Sequence, residues 1–318
     1  MRRILSLAAA SLFSLGLAGC QSDESAAPTA SMKGMGPAET VAASAKALSK
    51  GDLVAVVKAA VPPAQYDKMK VEWANKVKEE PASDKEKAEF AEMMSKLTAA
   101  DAEAALYAEL EPQLAKMEQE MAAQMPLMIG MGRGFAAQAI NESEKLSAEQ
   151  KAQASAMLDA TAKWLESANF FDREKAKQAV ASVVKAARGL EIQTLDQVEA
   201  MEFEQMLGKA GQAYVGVQDV LAIYGLDLAQ TLGSVKSSVV SEQADAAKVK
   251  VDYSLFGQPL SFETDMVKRE DRWFGKEALA EIEKELSKPA AVAEAGEMSD
   301  QGDDQSDEED VVEPAASN

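Results

Sequence analysis

The stretch Lys248-Val-Lys-Val-Asp-Tyr-Ser-Leu255 decides the fold class, because it alternates polar and apolar side chains in a chain whose pattern is otherwise helical. Alternation with a period of two predicts a β-strand with one covered face. The turn-forming cluster Phe256-Gly-Gln-Pro259 follows it, and the alternation then resumes over residues 260–266. Residues 272–274, Arg-Trp-Phe, are expected to add a short third strand. The chain beyond residue 246 therefore predicts an antiparallel β meander.

Upstream of this stretch the pattern is helical almost throughout, since Ala, Glu, Lys, Gln, Leu and Met dominate and are strong helix formers. Capping-box sequences at Ser83, Ser147 and Thr194 mark helix starts. A closing helix is predicted over residues 276–286, after the meander. The predicted helices before the meander cover residues 39–60, 63–79, 84–97, 99–125, 127–140, 148–167, 173–188, 195–224 and 226–240. The predicted fold class is mainly α with a small C-terminal antiparallel β meander.

The helical part contains a candidate internal repeat. Glu111-Pro-Gln-Leu-Ala-Lys-Met-Glu-Gln119 matches Glu204-Gln-Met-Leu-Gly-Lys-Ala-Gly-Gln212 at an offset of 93 residues. Two related halves would explain the match, but helices rich in Lys, Glu and Ala also match through composition alone. The predicted organisation is a signal peptide (1–19), a lipidated tether (20–38), a helical body (39–243, pseudo-repeats about 40–140 and 142–240), the meander with its closing helix (244–290) and an acidic disordered tail (291–318).

Composition excludes several chemistries. The chain has no histidine, so triads of the Ser-His-Asp type, Cys-His catalysis and histidine metal sites are not available to it. Its formal net charge is −20, which makes nucleic acid a poor partner because phosphate binding needs Lys and Arg patches. We expect no cofactor and no metal ion. Carboxylate, lysine, serine-lysine or tyrosine chemistry remains possible, but no spacing in the chain indicates it.

The N-terminal residues predict a cellular address. Arg2 and Arg3 precede an apolar run over residues 4–16 that is shorter than the ~20 residues of a membrane span but suits a secretory signal. The run ends in Leu17-Ala-Gly-Cys20, which resembles the lipobox of bacterial lipoproteins. This resemblance implies cleavage before Cys20, acylation of Cys20 and anchoring to a membrane through lipid. Gln21, where Asp would resemble a retention signal for the inner membrane, favours the periplasmic face of the outer membrane. The resemblance names no functional family.

One segment is a candidate for binding: Met125-Pro-Leu-Met-Ile-Gly-Met-Gly-Arg-Gly-Phe135. A phosphate-binding loop is excluded because such a loop follows a strand, whereas this segment lies within a helical run. The preferred interpretation is buried core, with the three glycines permitting close helix contact or a kink. The alternative is an adaptable apolar surface, because methionine packs softly against varied partners. In that case the partner-binding residues are Met125, Leu127, Met128, Met131 and Phe135.

Together these features favour a non-enzymatic protein that is lipid-anchored through Cys20 and faces the periplasm. It would have a structural, assembly or quality-control role through contacts with an unidentified envelope protein. One alternative is a carrier of a small apolar molecule, held in a cavity between the helices and the sheet. Another is an enzyme that uses carboxylates alone, which needs paired acids with raised pKa values.

Overall fold

The computed structural model describes residues 34–144 and 146–287. The predicted signal peptide, the lipidation site Cys20 and the acidic tail over 291–318 lie outside the described residues. Over the described residues the chain forms twelve helices and one four-stranded antiparallel sheet. The predicted fold class, mainly α with a small C-terminal β meander, is confirmed.

The helices and strands follow one another along the chain, with the sheet inserted before the last helix. The helices are α1 (Pro37–Ser49), α2 (Leu53–Ala60), α3 (Pro63–Glu79), α4 (Asp84–Thr98), α5 (Ala102–Met121), α6 (Met125–Glu142), α7 (Ala148–Ser167), α8 (Arg173–Leu190), α9 (Leu195–Glu199), α10 (Phe203–Ile223), α11 (Leu228–Gly233) and α12 (Lys276–Ser287). The strands are β1 (Lys236–Gln243), β2 (Ala246–Leu255), β3 (Gln258–Arg269) and β4 (Arg272–Gly275).

The three predicted capping boxes are present at the starts of α4, α7 and α9. In each, the side chain of Ser83, Ser147 or Thr194 accepts a hydrogen bond from a backbone N–H in the first turn. The Glu or Gln side chain three residues later accepts one from the backbone N–H of the capping residue. These reciprocal bonds satisfy two donors that have no partner inside the helix.

The predicted helix over residues 226–240 is wrong in its second half. Helix α11 ends at Gly233 and strand β1 begins at Lys236, so the sheet has four strands and the helical body ends before residue 243. Strand β1 shows no alternation because most of its residues are exposed. It forms through backbone pairing with β2, in which Lys236 lies opposite Asp252 and Gln243 lies opposite Ala246.

Two other predicted helices are each interrupted once. The predicted helix over 39–60 is broken by a turn at Gly51, whose φ of 71° leaves the helical region. The predicted helix over 195–224 is divided into α9 and α10. In the first case a side chain at residue 51 would also collide with α10, because an added Cβ would lie 2.6 Å from the carbonyl oxygen of Gly211. Tertiary packing therefore ends α1 where helix propensity alone does not.

The sheet buries one face against α1. Val249 and Val251 of β2 are fully buried, together with Val235 and with Ala45 from α1. The hydroxyl of Ser237 in β1 donates to the carbonyl oxygen of Ala38 at 2.9 Å and ties the two elements together. The alternation that predicted β2 is thus explained by α1, which covers the apolar side.

A second core cluster lies between the helices α2, α3, α10 and α12. Its buried members include Val56, Val61, Phe203, Leu207 and Ile282. Helices α8 and α10 approach closely, since a Cβ added at Gly216 would lie 2.5 Å from the Cβ of Ala186. These contacts hold α10 at the centre of the helical body.

The proposed duplication stays a prediction. The matched segments both lie in helices, α5 and α10, but their surroundings differ. Leu114 of α5 packs with Phe171 and Ala176, whereas Leu207 of α10 belongs to the larger core between α2, α3 and α12.

Candidate functional site

Helices α6 and α7 form a pair that we call the helical hairpin. Arg133 of α6 forms an ion pair with Asp159 of α7, with 2.7 Å between the guanidinium nitrogen and the carboxylate oxygen. Near the connecting residues, the Lys151 ammonium donates to the carbonyl oxygen of Asn141 at 2.6 Å. The residue that is later in α6, Asn141, contacts the residue that is earlier in α7, Lys151. The two helices are therefore antiparallel.

The outer side of α6 is an exposed apolar surface. No residue of this helix is buried, and four of the predicted binding residues are largely open to solvent. Their exposed fractions are 66% for Leu127, 51% for Met128, 53% for Met131 and 71% for Phe135. Residues 127, 131 and 135 follow one another at four-residue spacing, which places them on one side of a helix. We call these four residues the apolar stripe.

The preferred interpretation of this segment as buried core is therefore wrong. Ile129, Ala136 and Ile140, on the opposite side of α6 by helical periodicity, are only partly exposed. Met125, the fifth predicted residue, does not belong to the stripe because it packs against the cluster around Leu114. The apolar composition of this segment indicated that its surface would be covered. It did not show whether another part of the same chain covers it.

The glycines of α6 do not mediate a helix contact within the described part of the molecule. An added Cβ at Gly130, Gly132 or Gly134 would meet no atom within 4 Å. Gly130 and Gly134 lie one turn apart and beside Leu127 and Met131. Such a pair of small residues lets another helix approach the backbone closely. The close helix contact expected at these glycines is thus absent among the described residues, and the space beside them is open.

A cleft of about 680 Å³ lies between α7, α11 and the turn that joins β2 to β3. Three of its lining residues are aromatic. The rings of Trp164 and Phe256 stack with centroids 5.3 Å apart, and Tyr224 stacks at 5.5 Å on Phe170, which lies outside the lining. Trp164 and Phe170 meet edge to face at 5.8 Å and join the two pairs. We call this space the aromatic cleft. Its position matches the cavity expected for a carrier, although its lining also includes charged and polar groups.

Two backbone features hold the aromatic side chains of the cleft in place: the carbonyl group of Tyr224 and the turn at Phe256-Gly257. The indole N–H of Trp164 donates to the carbonyl oxygen of Tyr224 at 2.8 Å. Phe256 has a φ of 51° and Gly257 a φ of 74°, so the strands are joined by a turn in the left-handed region. A bulky residue is uncommon there and costs free energy. Stacking of Phe256 on Trp164 opposes that cost and fixes the ring at the edge of the cleft.

The aromatic cleft has no local signature in the sequence, because its residues come from four separate segments. Trp164 and Tyr224 are 60 residues apart, and Phe256 lies in a different class of secondary structure. A local signal did exist in Phe256-Gly257, since a large aromatic residue in a tight turn often packs on a neighbouring element. That signal does not reveal which element the ring meets.

Metal binding and membrane spanning find no support in the described part of the chain. Within residues 34–144 and 146–287, no three acidic or cysteine side chains are grouped closely enough to hold a metal ion. Over the same residues, no helix combines the length and the apolarity that crossing a membrane requires.

Four carboxyl groups among the described residues have a clearly shifted pKa, and in all four the pKa is lowered. A carboxylate general acid would need a raised pKa. The causes are hydrogen bonds from Ser83 to Glu86, from Lys96 to Glu92, from the backbone N–H of Lys175 to Asp172, and from Lys58 and Tyr66 to Glu204.

Comparison of the chain with protein-family models, with curated proteins and with solved structures finds no match. Function is therefore argued from the apolar stripe and the aromatic cleft, since a fold by itself does not imply an activity.

Proposed function

We propose that this protein is a lipid-anchored protein of the bacterial envelope that binds an apolar helix of another envelope protein along α6, without catalysing a reaction. The observation that carries the proposal is the apolar stripe. Large apolar side chains grouped on the surface of a soluble protein mark interaction sites more often than chance. Here they occupy one side of a helix whose other side already packs within the molecule.

The geometry of α6 suits a helical partner. Leu127, Met131 and Phe135 would supply side chains to the contact, while Gly130 and Gly134 leave space for the partner backbone. Anchors at i, i+4 and i+8 are the pattern by which one helix face is recognised by another. Methionine adapts its shape to the partner at small energetic cost.

The rest of the hairpin presents this surface in a fixed orientation. Helix α7 packs behind α6 and is tied to it through Arg133 and Asp159. Trp164 of α7 stacks on Phe256 in the turn between β2 and β3, which connects the hairpin to the remainder of the protein. A partner that binds the stripe would therefore be held relative to the whole domain.

The lipobox supplies the cellular context of the proposal. Acylation of Cys20 anchors a protein stably when two or more chains are attached. The predicted tether between Cys20 and Pro37, where α1 begins, would span roughly 20–25 Å as a flexible chain. The partner is accordingly expected close to the same membrane, on its periplasmic side.

Photo-crosslinking in living cells tests this proposal. A photoreactive residue would be placed at Leu127 or Phe135 in the full-length protein, and at Val71 as an exposed apolar control outside the hairpin. We expect both stripe positions to yield the same crosslinked envelope protein and Val71 to yield none of it. The product should disappear in Cys20→Ala, because the unanchored protein no longer lies beside its partner.

A pair of double variants separates binding from folding. Met128→Glu with Met131→Glu should abolish the crosslink, whereas Val71→Glu with Met93→Glu should preserve it. Both doubles change exposed residues, so we expect their circular dichroism and melting temperatures to match those of the wild type. Equal capture from all positions, no capture at all, or capture only of a second copy of this chain would each contradict the proposal.

A second candidate function, carriage of a small molecule, is favoured by the aromatic cleft. Its volume of about 680 Å³ is within the range of ligand-binding pockets. Carriage requires that the protein release its ligand intact to an acceptor. Measuring transfer of a bound ligand to acceptor vesicles or to a second protein would distinguish carriage from permanent binding.

A further inference from the structure

We infer that the aromatic cleft is a binding site for a small organic anion that has a carboxylate attached to a flat ring. This inference goes beyond the proposed contact along α6 and does not depend on it. The shape of the cleft, the aromatic residues in its lining and the charges beside them favour such a ligand.

The aromatic wall favours a ring. Trp164, Tyr224 and Phe256 all line the cleft. Aromatic side chains bind flat apolar groups through large contact areas and offset stacking. The rings are already held by one another and by the bond from Trp164 to Tyr224, so a ligand need not order them.

The charges in the cleft favour an anion. Lys163 and Lys175 line it, and across the described residues neither forms an ion pair with a carboxylate. The Lys175 ammonium lies over the Tyr224 ring, 5.9 Å from its centroid. With Asp227, which also lines the cleft, the two lysines give the lining a net charge of +1, a local exception in a protein with a net charge of −20.

The carboxylates near these lysines are engaged by the backbone. Asp227, which also lines the cleft, accepts the backbone N–H of Gln230 at 2.7 Å. Asp172 accepts the backbone N–H groups of Glu174 and Lys175 at 2.9 and 3.0 Å. Both acids therefore cap helix ends. A carboxylate carried by a ligand would give Lys163 and Lys175 an ion-pair partner within the cleft, in addition to the contact of Lys175 with the Tyr224 ring.

The polar groups along the rest of the lining allow a ring that carries hydroxyl or amide substituents. Gln230 and Gln258 present amide side chains there. A wholly apolar ligand would leave such groups and both lysines without hydrogen bonds in the complex, which lowers affinity. The cleft thus suits a ring-bearing acid better than the apolar cargo expected from sequence.

Isothermal titration calorimetry with three matched probes tests the inference on the purified protein. Naphthoate carries both features, naphthylmethanol lacks the charge, and acetate lacks the ring. We expect naphthoate to bind with a dissociation constant of about 1 mM or below, as its size permits. The alcohol should bind about tenfold more weakly, because charge-assisted hydrogen bonds are lost. Acetate should show no measurable heat of binding.

Lysine variants locate the bound anion. Lys175→Gln and Lys163→Gln should each weaken naphthoate binding severalfold while leaving naphthylmethanol binding unchanged. Lys185→Gln is the matched control, since Lys185 lies on the same helix as Lys175 but does not line the aromatic cleft. All three lysines are at least partly exposed, so the substitutions should not disturb folding.

Three results would overturn the inference. The first is no binding of naphthoate up to about 5 mM, a concentration that detects even weak ligands. The second is equal affinity for naphthoate and the alcohol. The third is equal weakening in all three lysine variants, which would indicate a general effect of charge. None of these results depends on Met128 or Met131, so failure here is distinguishable from failure of the contact proposed for α6.

Discussion

The sheet and the helical hairpin use apolar side chains in opposite ways. Val249 and Val251 in β2 have no exposed surface, whereas Leu127 and Phe135 in α6 keep 66% and 71% of theirs. Both pairs belong to regular elements of secondary structure. The difference is that β2 finds α1 within the chain to cover its apolar face, while the outer side of α6 has no such cover among the described residues. Apolar surface thus stabilises the fold in one region and remains available for binding in the other.

Truncating a phenylalanine in each region should give the largest contrast. Phe274→Ala removes a fully buried ring from β4 and should cost about 3–5 kcal/mol of unfolding free energy, because a cavity remains. Phe135→Ala removes an exposed ring and should change the stability by no more than about 0.5 kcal/mol. Urea denaturation of both variants measures the two values. Similar losses would show that α6 is covered in solution.

Replacing a glycine with alanine should change the stability by a smaller amount, with opposite signs in α10 and in α6. A Cβ at Gly211 would lie 2.0 Å from the carbonyl oxygen of Gly51, so Gly211→Ala should destabilise by about 1–3 kcal/mol. A Cβ at Gly134 would meet open space, and Gly134→Ala should stabilise by about 0.5–1 kcal/mol because alanine favours a helix. Thermal melts of the two variants test this. A loss of stability in Gly134→Ala would mean that the stripe is packed against something.

The ion pairs of the core region should give a pH-dependent effect. The carboxylate of Glu204 accepts a hydrogen bond from the Tyr66 hydroxyl at 3.0 Å and pairs with the Lys58 ammonium at 3.0 Å. These contacts, with Lys58 as the larger cause, hold the pKa of Glu204 below its ordinary value of 4.5. A carboxylate whose pKa is lower in the folded state than in the unfolded state contributes stability at pH values above its unfolded pKa. That contribution is lost as the pH falls through the pKa of the folded state.

Glu204→Gln should therefore lower the unfolding free energy at pH 7 and have little effect at the most acidic pH that the protein tolerates. The Glu204 side chain is 45% exposed, so solvent screening limits the effect to about 1 kcal/mol or less. Unfolding free energies of both proteins, measured from pH 7 down through pH 4, test this dependence. A difference that grows as the pH falls would contradict the assignment.

The smallest effect is expected in the hairpin. Arg133 and Asp159 are each about half exposed, at 50% and 49% of their side-chain surface. Asp159→Asn should change the stability by no more than about 0.5 kcal/mol, and the change should fade in high salt. Melting curves at low and high ionic strength measure it. A large loss independent of salt would show that the orientation of α6 depends on this one pair.

Local signals predicted the starts of helices and the identity of β2. The capping boxes at Ser83, Ser147 and Thr194 were recognised because each is complete within four residues. Strand β2 was recognised because its face alternates. Strand β1 was missed because backbone pairing forms it, and the two exposed valines Val239 and Val240 give no period of two.

The two candidate sites also differ in how far a local sequence signal predicts them. The residues of the apolar stripe were named from sequence because they lie within one segment, but their exposure was not, since periodicity shows that a face is apolar without showing what covers it. The aromatic cleft was not anticipated as such. Its rings and lysines come from segments far apart in the chain, and only the packing of α7 against the β2–β3 turn brings Trp164 and Phe256 together.

By itself the sequence determined the fold class, the helix caps, the exclusion of histidine chemistry and the expectation of a lipid anchor at Cys20. These depend on composition, on short motifs and on the periods of single elements. The tertiary structure decided which apolar faces are buried, where α1 ends and which side chains meet in the aromatic cleft. Those outcomes depend on contacts between residues far apart in the chain. Burial requires two surfaces in contact, and a local sequence pattern describes only one of the two.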